Sequence, residues 1–184
     1  MTNPNIIPGT LFRCAASKRS LLPLDCAIVE LRTADEISDC PTPSEHRKVL
    51  HVPLPVSKSG HGVLSPMEQS YLAWVHSGGK VFPRVLEEYC EEKAIAVSCL
   101  RGVDRTGLIV AVLHLLLGTD MHSVLTEYVR VGGADTKAHH LQICIVEIDR
   151  VGGLFEYLRA CGCSTNGINQ FRRAFLRVPN CFAF

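Results

Sequence analysis

The segment that decides the fold is AIAVSCLRGVDRTGLIVAVLHLLLG, residues 94–118. It begins with a continuous apolar run over Ala94–Ser98, which has the length expected for a buried central strand. A polar turn containing Gly102 follows, and from Arg105 onward the apolar residues continue long enough for a buried helix. The segment therefore predicts a strand, a tight loop and a helix, with the polar groups of the loop set between two core elements.

The loop has the composition of an anion site. Its backbone N–H groups would converge on one spot, together with the unpaired N–H groups that begin a helix. Gly102 supplies the backbone freedom that a tight turn needs, and Gly107 allows the start of the helix to pack closely. The Arg105 side chain can hold two oxygens of a phosphate in fork geometry. Cys99 is expected at the floor of this cradle, where the N–H groups and the helix dipole favour a nucleophilic thiolate, with Thr106 placed to hydrogen-bond the sulfur.

The rest of the chain predicts an α/β fold with a small, mostly parallel central sheet flanked by helices. Short β-rich runs at 11–14, 26–32 and 48–55 are expected to be strands, the last ended by prolines. A polar loop with a helical turn at its start separates the second run from the third. Helices are predicted at 65–76, 81–93, 105–117, 121–131, 137–150, 153–161 and 164–177, which makes the C-terminal half helical. A length of 184 residues suits one domain, residues 1–184.

Composition restricts the classes of partner. A net charge of +1 gives no global field for nucleic acid, so we expect none as a partner. Nine cysteines, odd in number and without a C-x-x-C pair, fit neither a disulfide framework nor a zinc module. We therefore expect no metal and a reducing, cytoplasmic location. The first residues do not read as a cleaved signal peptide, which leaves secretion by another route open. The most apolar run is too short for stable membrane insertion, and no pattern indicates an oligomeric state.

The stretch CLRGVDRTG, residues 99–107, matches the pattern C-x5-R-[ST]-G. It resembles the signature of the cysteine-dependent protein tyrosine phosphatase superfamily. The flanking stretches GTLFRCAAS, AIVELRTADEI, HVPLP and GGLFEYLRACGCSTNGINQFRRAFL are similar to the atypical bacterial and fungal branch that includes mycobacterial phosphatase B. The resemblance implies a twisted, mostly parallel sheet with the loop at the carboxyl end of its central strand. It also implies cofactor-free hydrolysis of phosphotyrosine, phosphoserine, phosphothreonine or phosphoinositide esters through a thiophosphate on Cys99.

The resemblance implies roles for the residues of the loop. Cys99 would be the nucleophile, Asp104 the general acid, and Thr106 an aid to breakdown of the intermediate. The phosphate-binding residues would be Leu100, Arg101, Gly102, Val103 and Arg105. A phosphorylated protein or a phospholipid would be the partner.

Three positions depart from the family pattern. Ser98 stands where the family usually has histidine before the nucleophile, which removes one contributor to the stabilisation of the thiolate. Val103 stands where the loop of the family often has a lysine associated with phosphoinositide and broad substrate use. Glu30-Leu31-Arg32 replaces an Asp-Leu-Arg element, which keeps the carboxylate with one more methylene.

The proton donor is the least specified part of the site. Other branches of the superfamily use an aspartate upstream of the cysteine, but this chain has none between Asp39 and Asp104. Asp104 is therefore the first choice for general acid, although it could instead cap the helix that follows. Glu68 or His61 would take the role if the segment around 57–69 closed as a lid.

Two other functions fit part of the pattern. A phosphate-binding module without turnover would explain Ser98 and the uncertain acid, although a pure binder has no use for the thiol. A rhodanese-type sulfurtransferase also places a cysteine in an amide-lined loop, but its loop is typically one residue shorter to the basic group. The Thr106-Gly107 pair fits the phosphatase better.

Overall fold

Four parallel strands form the sheet that carries the predicted loop. The computed structural model of the chain describes residues 10–42, 46–56, 64–91, 94–133 and 136–176. The strands are β1 (Thr10–Ala15), β2 (Cys26–Glu30), β3 (Val49–His51) and β4 (Ala94–Cys99). Their order across the sheet is β1-β4-β2-β3, and every pair is parallel. This arrangement confirms the predicted fold class.

Strand β4 is the central strand, because all six of its residues are buried between β1 and β2. Ile95, Val97 and Cys99 belong to the large apolar core on the helical side, while Ala94 and Ala96 belong to a small cluster on the opposite side. Alternation along a strand produces this division. The Ser98 side chain accordingly lies on the face of the sheet opposite Cys99.

The helices confirm the predicted α/β pattern and the helical C-terminal half. They are α1 (Ala34–Asp39), α2 (Pro66–Ser77), α3 (Val81–Glu91), α4 (Asp104–Leu116), α5 (Met121–Gly132), α6 (Ala138–Arg150), α7 (Leu154–Ala160) and α8 (Thr165–Leu176). Short 3-10 helices cover Ala16–Leu21 and Gly78–Lys80. Helix α4 is buried on nearly every side, which agrees with its uninterrupted apolar sequence. It packs against α5, while α2 packs against α6 and α3 against α8.

Two predicted strands are shorter in the structure. The run predicted at 26–32 ends as a strand at Glu30, and the run predicted at 48–55 pairs regularly only over Val49–His51. Pro53 and Pro55 have no N–H to donate, so the ladder cannot continue in register. Isolated bonds from the N–H groups of Val52 and Leu54 still hold the segment against β2.

None of the helices in the described ranges is long and apolar enough to cross a membrane.

Candidate active site

The loop that follows β4 is fastened to β1 and the residue after it through its carbonyl groups. The Leu100 carbonyl accepts from the Ala16 N–H at 3.3 Å. The Gly102 and Val103 carbonyls accept from Nη2 of Arg13 at 3.1 and 3.3 Å. In a trans peptide the next N–H points opposite to the carbonyl. These three fastenings therefore turn the N–H groups of residues 101, 103 and 104 to the inner side of the loop.

This orientation gives the loop the donors of an anion cradle. The N-terminus of α4 begins at Asp104, and no side chain caps it. Its first N–H groups remain available, and the helix dipole adds partial positive charge at the same place. The geometry supports the prediction that the loop can hold a phosphate-sized anion.

Gly102 makes the close contact with β1 possible. Its φ is +69°, and a Cβ at this position would lie 2.7 Å from both the Ala15 nitrogen and the Cys14 carbonyl carbon. Gly107 has a similar task one turn into α4, because a Cβ there would lie 2.6 Å from the Tyr128 ring. Gly102 thus has the backbone conformation that the predicted tight turn needs, and Gly107 allows the close packing predicted for the start of the helix.

Gly102→Ala is expected to disrupt the loop. The new methyl group meets backbone atoms and also forces a strained φ, so we expect a loss of about 1–3 kcal/mol in stability and about 10–100-fold in any activity of the loop. Gly118→Ala is the matched control, since Gly118 has φ +89° and a Cβ there would meet no atom within 4 Å. Equal losses in urea unfolding and activity for the two variants would show that contact with β1 is unimportant.

The Arg105 side chain is buried and held in one orientation. Its Nη1 and Nη2 donate to the two carboxylate oxygens of Glu36 at 2.7 and 2.6 Å. Nη1 also donates to the carbonyls of Leu31 and Leu54 at 3.2 and 3.1 Å. Burial by itself lowers the pKa of Arg105, but the Glu36 hydrogen bond and the charges of Cys99, Glu36 and Glu30 raise it. The guanidinium therefore stays charged.

The hydrogen bonds to Glu36 leave one edge of the Arg105 guanidinium available. Glu36 occupies the end formed by Nη1 and Nη2, and Nε of Arg105 donates to no acceptor within the described residues. The edge formed by Nε and Nη2 can therefore bind two oxygens of an anion, as the fork geometry predicted for Arg105 requires. The sequence did not single out Glu36 as the partner of Arg105.

A local signal for Glu36 is present in the sequence. Thr33 and Glu36 form a capping box at the start of α1, in which each side chain bonds the backbone of the other residue. The pattern T-x-x-E in TADE predicts such a box. The box fixes the Glu36 carboxylate, and hydrogen bonds from Arg105 hold its pKa below the usual range. What the pattern does not indicate is that the carboxylate also reaches α4.

Cys99 is the last residue of β4 and is 3% exposed. It thus lies at the floor of the loop, where the sequence predicts it. The predicted hydrogen bond from Thr106 to the sulfur is not formed: within the described residues the buried Thr106 hydroxyl has no partner. Thr106 lies in the first turn of α4, the helix that directly follows the loop. Its hydroxyl is therefore buried next to the loop and has no hydrogen-bond partner within the described residues.

Asp104 does not cap the helix that it begins, because the N-cap residue is Val103. Its Oδ1 instead accepts from the Tyr71 hydroxyl at 3.0 Å. Tyr71 is also hydrogen-bonded to Tyr128. Since the Tyr71 proton is given to Asp104, Tyr128 must donate to Tyr71. Burial raises the pKa of Tyr128 to about 12 and that of Tyr71 further, so both phenols are neutral.

The two tyrosines orient the carboxylate of Asp104 from the helical side. Tyr71 comes from α2 and Tyr128 from α5, and both are fully buried. Oδ2 of Asp104 accepts no hydrogen bond within the described part of the chain, and the residue is half-buried. One oxygen is fixed and the other is available to carry a proton. Neither tyrosine was predicted, since nothing local to Tyr71 or Tyr128 indicates a partner so distant in sequence.

The two alternative acids are less favourable. Glu68 forms a capping box with Ser65 at the start of α2, and its Oε1 lies 3.6 Å from Nε2 of His139. Hydrogen bonds from Ser65 lower the pKa of the Glu68 carboxyl, which makes it a poor proton donor near neutral pH. His61 and the rest of residues 57–63 of the predicted lid lie outside the described residues, while the last part of that segment begins α2.

Ser98 contacts a buried arginine on the opposite face of the sheet. Nε of Arg19 donates to the Ser98 hydroxyl at 3.1 Å, and Arg19 also pairs with Glu30. Arg32 pairs with the same carboxylate at 2.7 Å. Arg19 and Arg32 thus share the Glu30 carboxylate. Arg13, on β1, pairs with Glu127 of α5 at 3.3 Å.

The remaining predicted phosphate-binding residues are part of the loop that joins β4 to α4. Leu100 is 39% exposed, Arg101 is exposed, and Val103 is half-buried. Leu100 and Arg101 therefore lie at the rim, above the buried thiol. Within the described ranges no group of three His, Cys, Asp or Glu side chains is placed to hold a metal ion.

Comparison with known proteins agrees with this geometry. A profile described as the tyrosine phosphatase family matches residues 5–177. No curated protein matches the chain at a significant level. The match covers the sheet, the 99–105 loop and helices α1 to α8, so the chain belongs to the tyrosine phosphatase family.

Proposed function

We propose that the protein hydrolyses phosphate monoesters of tyrosine through a covalent phosphocysteine intermediate on Cys99. The observation that carries this proposal is the construction of the 99–105 loop. Its carbonyl groups accept hydrogen bonds on the outer side of the loop, as the Gly102 carbonyl does from Arg13. Arg105 is held by Glu36 and keeps the edge formed by Nε and Nη2 available near the buried Cys99 thiol. Donors preorganised around a transferring phosphoryl group stabilise its charge as the transition state forms.

In the first step the Cys99 thiolate attacks phosphorus. A sulfur–phosphorus bond forms while the bond from phosphorus to the phenolic oxygen breaks, and the electron pair leaves with that oxygen. Asp104 donates its proton to the leaving oxygen from the carboxylate oxygen not bound by Tyr71. Arg105 and the loop N–H groups bind the three phosphoryl oxygens throughout.

In the second step water attacks phosphorus, and the sulfur–phosphorus bond breaks. Asp104, now a carboxylate, accepts the proton of the water. The departing sulfur takes the electron pair, and the unpaired hydroxyl of Thr106 is the donor that would stabilise the thiolate. The products are inorganic phosphate and the original Cys99. The cycle needs no cofactor or metal.

Burial of the thiol favours phosphotyrosine among the candidate substrates. Cys99 is 3% exposed, so the phosphoryl group must reach past the rim of the loop. A phenolic side chain is longer than that of serine or threonine, and the exposed Leu100 offers an apolar contact for its ring. Arg101 at the rim suits an acidic phosphopeptide, or the headgroup of a phosphoinositide as a secondary substrate. Phosphoserine and phosphothreonine rank behind both.

The rest of the proposal rests on the composition and on the sequence resemblance described above. We place the chain in the atypical bacterial and fungal branch, as one catalytic domain over residues 1–184 that acts in the cytoplasm on phosphorylated proteins. Membership in the tyrosine phosphatase family supports hydrolysis over rhodanese-type sulfur transfer. A module that only binds phosphate remains the competing function, because Ser98 replaces the usual histidine.

Hydrolysis of aryl phosphates by wild type, Asp104→Asn and Glu68→Gln tests this proposal. We expect Asp104→Asn to lose about 100-fold in kcat, since a general acid typically contributes 10²–10⁴-fold. The loss should be largest for esters with basic leaving groups, which need protonation most. Glu68→Gln should keep wild-type rates because its carboxylate caps α2.

The outcomes separate the competing functions. A larger loss in Glu68→Gln than in Asp104→Asn would reassign the acid. Tight binding of tungstate by a wild type that turns over no aryl phosphate would favour the binding module. Sulfur transfer from thiosulfate without phosphate release would favour the sulfurtransferase.

A further inference from the structure

A cluster of ionised side chains is buried on the face of the sheet opposite the Cys99 side chain. Arg19 is 3% exposed, Glu30 is 2% exposed and Arg32 is fully buried. Arg32 donates from Nη2 to Oε2 of Glu30 at 2.7 Å and from its backbone N–H to Oε1 at 3.0 Å. Arg19 binds Oε2 of the same carboxylate. Two guanidinium groups thus share one carboxylate.

The cluster carries one surplus positive charge. Burial by itself raises the pKa of Glu30, but hydrogen bonds from Arg32 and the charges of both arginines lower it overall, so the carboxylate is ionised. Both guanidinium groups remain protonated in proteins. One negative charge against two positive charges leaves a net charge of +1 out of contact with water. A buried charge of this kind acts over a longer distance than a solvated one.

Arg19 places one of these positive charges next to Ser98, the residue before Cys99. It lies in the 3-10 helix that follows β1, and its Nε donates to the Ser98 hydroxyl at 3.1 Å. The backbone at Ser98 is fixed as well, because its carbonyl accepts from the Leu31 N–H at 2.8 Å. Both the side chain and the carbonyl of the residue before Cys99 are therefore held in place.

The other charges near Cys99 are largely balanced. The charged or titratable groups on the elements packed around it include Arg13 and Glu127, Arg105 and Glu36, Asp104 with Tyr71 and Tyr128, Arg101, Lys18, His114, and the cluster of Arg19, Glu30 and Arg32. Lys18 is exposed, and burial lowers the pKa of His114, so neither adds a buried positive charge near neutral pH. Arg13 and Arg105 are each paired with a glutamate. Asp104 adds negative charge, and exposed Arg101 is screened by solvent. The buried surplus of positive charge therefore comes from the Arg19 cluster.

We propose that Arg19 is a positioning residue of the nucleophile, whose buried guanidinium holds Ser98 and favours the thiolate form of Cys99 from the opposite face of the sheet. The value of Arg19 for catalysis rests on the function proposed above. The effect of Arg19 on the Cys99 thiol is independent of that function, because thiolate formation can be measured without turnover.

Alkylation of Cys99 by iodoacetamide as a function of pH tests the proposal. The rate is followed on the Cys99 peptide by mass spectrometry, and the midpoint is the pH at half of the alkaline plateau. We expect Arg19→Gln to raise this midpoint by about one pH unit, as removal of a nearby buried charge would. Arg19→Lys keeps the charge and should retain most of the wild-type midpoint.

Arg47→Met is the matched control. Arg47 is a half-buried arginine that donates to the carbonyls of Pro23 and Leu22 at 2.9 and 2.6 Å. Its loss should leave the midpoint unchanged. Circular dichroism and thermal unfolding report whether each variant folds.

The proposal is overturned if folded Arg19→Gln has the wild-type midpoint, or if Arg19→Lys shifts it as far as Arg19→Gln does. Should Arg19→Gln not fold, Arg32→Gln replaces it, since that variant removes one positive charge from the same cluster and leaves the bond from Arg19 to Ser98. A raised midpoint in folded Arg32→Gln supports the proposal, and an unchanged one contradicts it. A shifted midpoint in a chain without phosphatase activity would contradict the proposed function alone.

Discussion

Replacement of Cys99 by serine is expected to lower phosphate release from an aryl phosphate by on the order of 10⁴-fold or more. A serine hydroxyl remains protonated near neutral pH, whereas the N–H groups of the loop favour an ionised sulfur. Removal of an attacking group also cannot be compensated by the remaining residues, which act as a unit with it. Steady-state hydrolysis across pH measures the loss.

The same variant should still bind oxyanions. The loop N–H groups and the available edge of Arg105 do not depend on the sulfur, so tungstate should protect the variant against thermal unfolding. Cys40→Ser is the control, because Cys40 is an exposed thiol outside the loop and should keep full activity. Residual turnover in Cys99→Ser comparable to wild type would exclude a phosphocysteine intermediate.

Glu30→Gln is expected to destabilise the fold by about 3–5 kcal/mol, the loss typical of a broken buried ion pair. The carboxylate accepts from two buried arginines. An amide leaves both guanidinium groups without a compensating charge in a region that excludes water. Urea unfolding measures the difference in free energy of unfolding.

Glu87→Gln is the matched control for this variant. Glu87 also pairs with an arginine, at 3.4 Å, but its side chain is 64% exposed. Solvent screens such a pair, so its loss should cost only a small fraction of the loss in Glu30→Gln. Similar unfolding free energies for the two variants would mean that the buried cluster contributes no more than a surface pair.

The Glu30 cluster should also make stability depend on pH in the acid range. Hydrogen bonds and charges from the arginines hold the pKa of Glu30 below its usual value in the folded chain. The unfolded chain therefore takes up a proton first as the pH falls through its own value of about 4.3. The stabilisation is complete above that pH and is lost as the pH approaches the folded value. In urea unfolding at a series of pH values, wild type should lose stability below about pH 5 more steeply than Glu30→Gln.

Much of the fold could be predicted from the sequence because its signals are local. The run Ala94–Ser98 has the length and apolarity of a central strand, and the structure extends it by one residue. The Ser65–Glu68 capping box marks the start of α2, and the glycines at or after the ends of α4 to α7 mark those ends to within one or two residues. The regular part of β3 could not be delimited, because its length depends on which N–H groups find partners on β2.

The backbone of the 99–105 loop was equally well specified, and the spacing of Cys99, Gly102 and Arg105 predicts a phosphate cradle there. Gly102 is needed for the tight turn that the sequence predicts, and the structure adds only which backbone atoms it approaches. The predicted bond from Thr106 to the sulfur was the exception. Spacing within one turn of a helix places a hydroxyl near a target but does not fix its rotamer.

The sequence by itself determined the strand, loop and helix, because neighbouring residues specify backbone conformation, and it predicted the chemistry of Cys99 and Arg105. Only the tertiary structure decided the partners of that chemistry. Glu36 holds Arg105, Tyr71 holds Asp104, and Arg19 reaches Ser98. These contacts join residues 33 to 79 positions apart, and a pattern read along the chain carries no information on distance between segments. They form because burial of the sheet and of α4 forces each ionised group to find a partner in space.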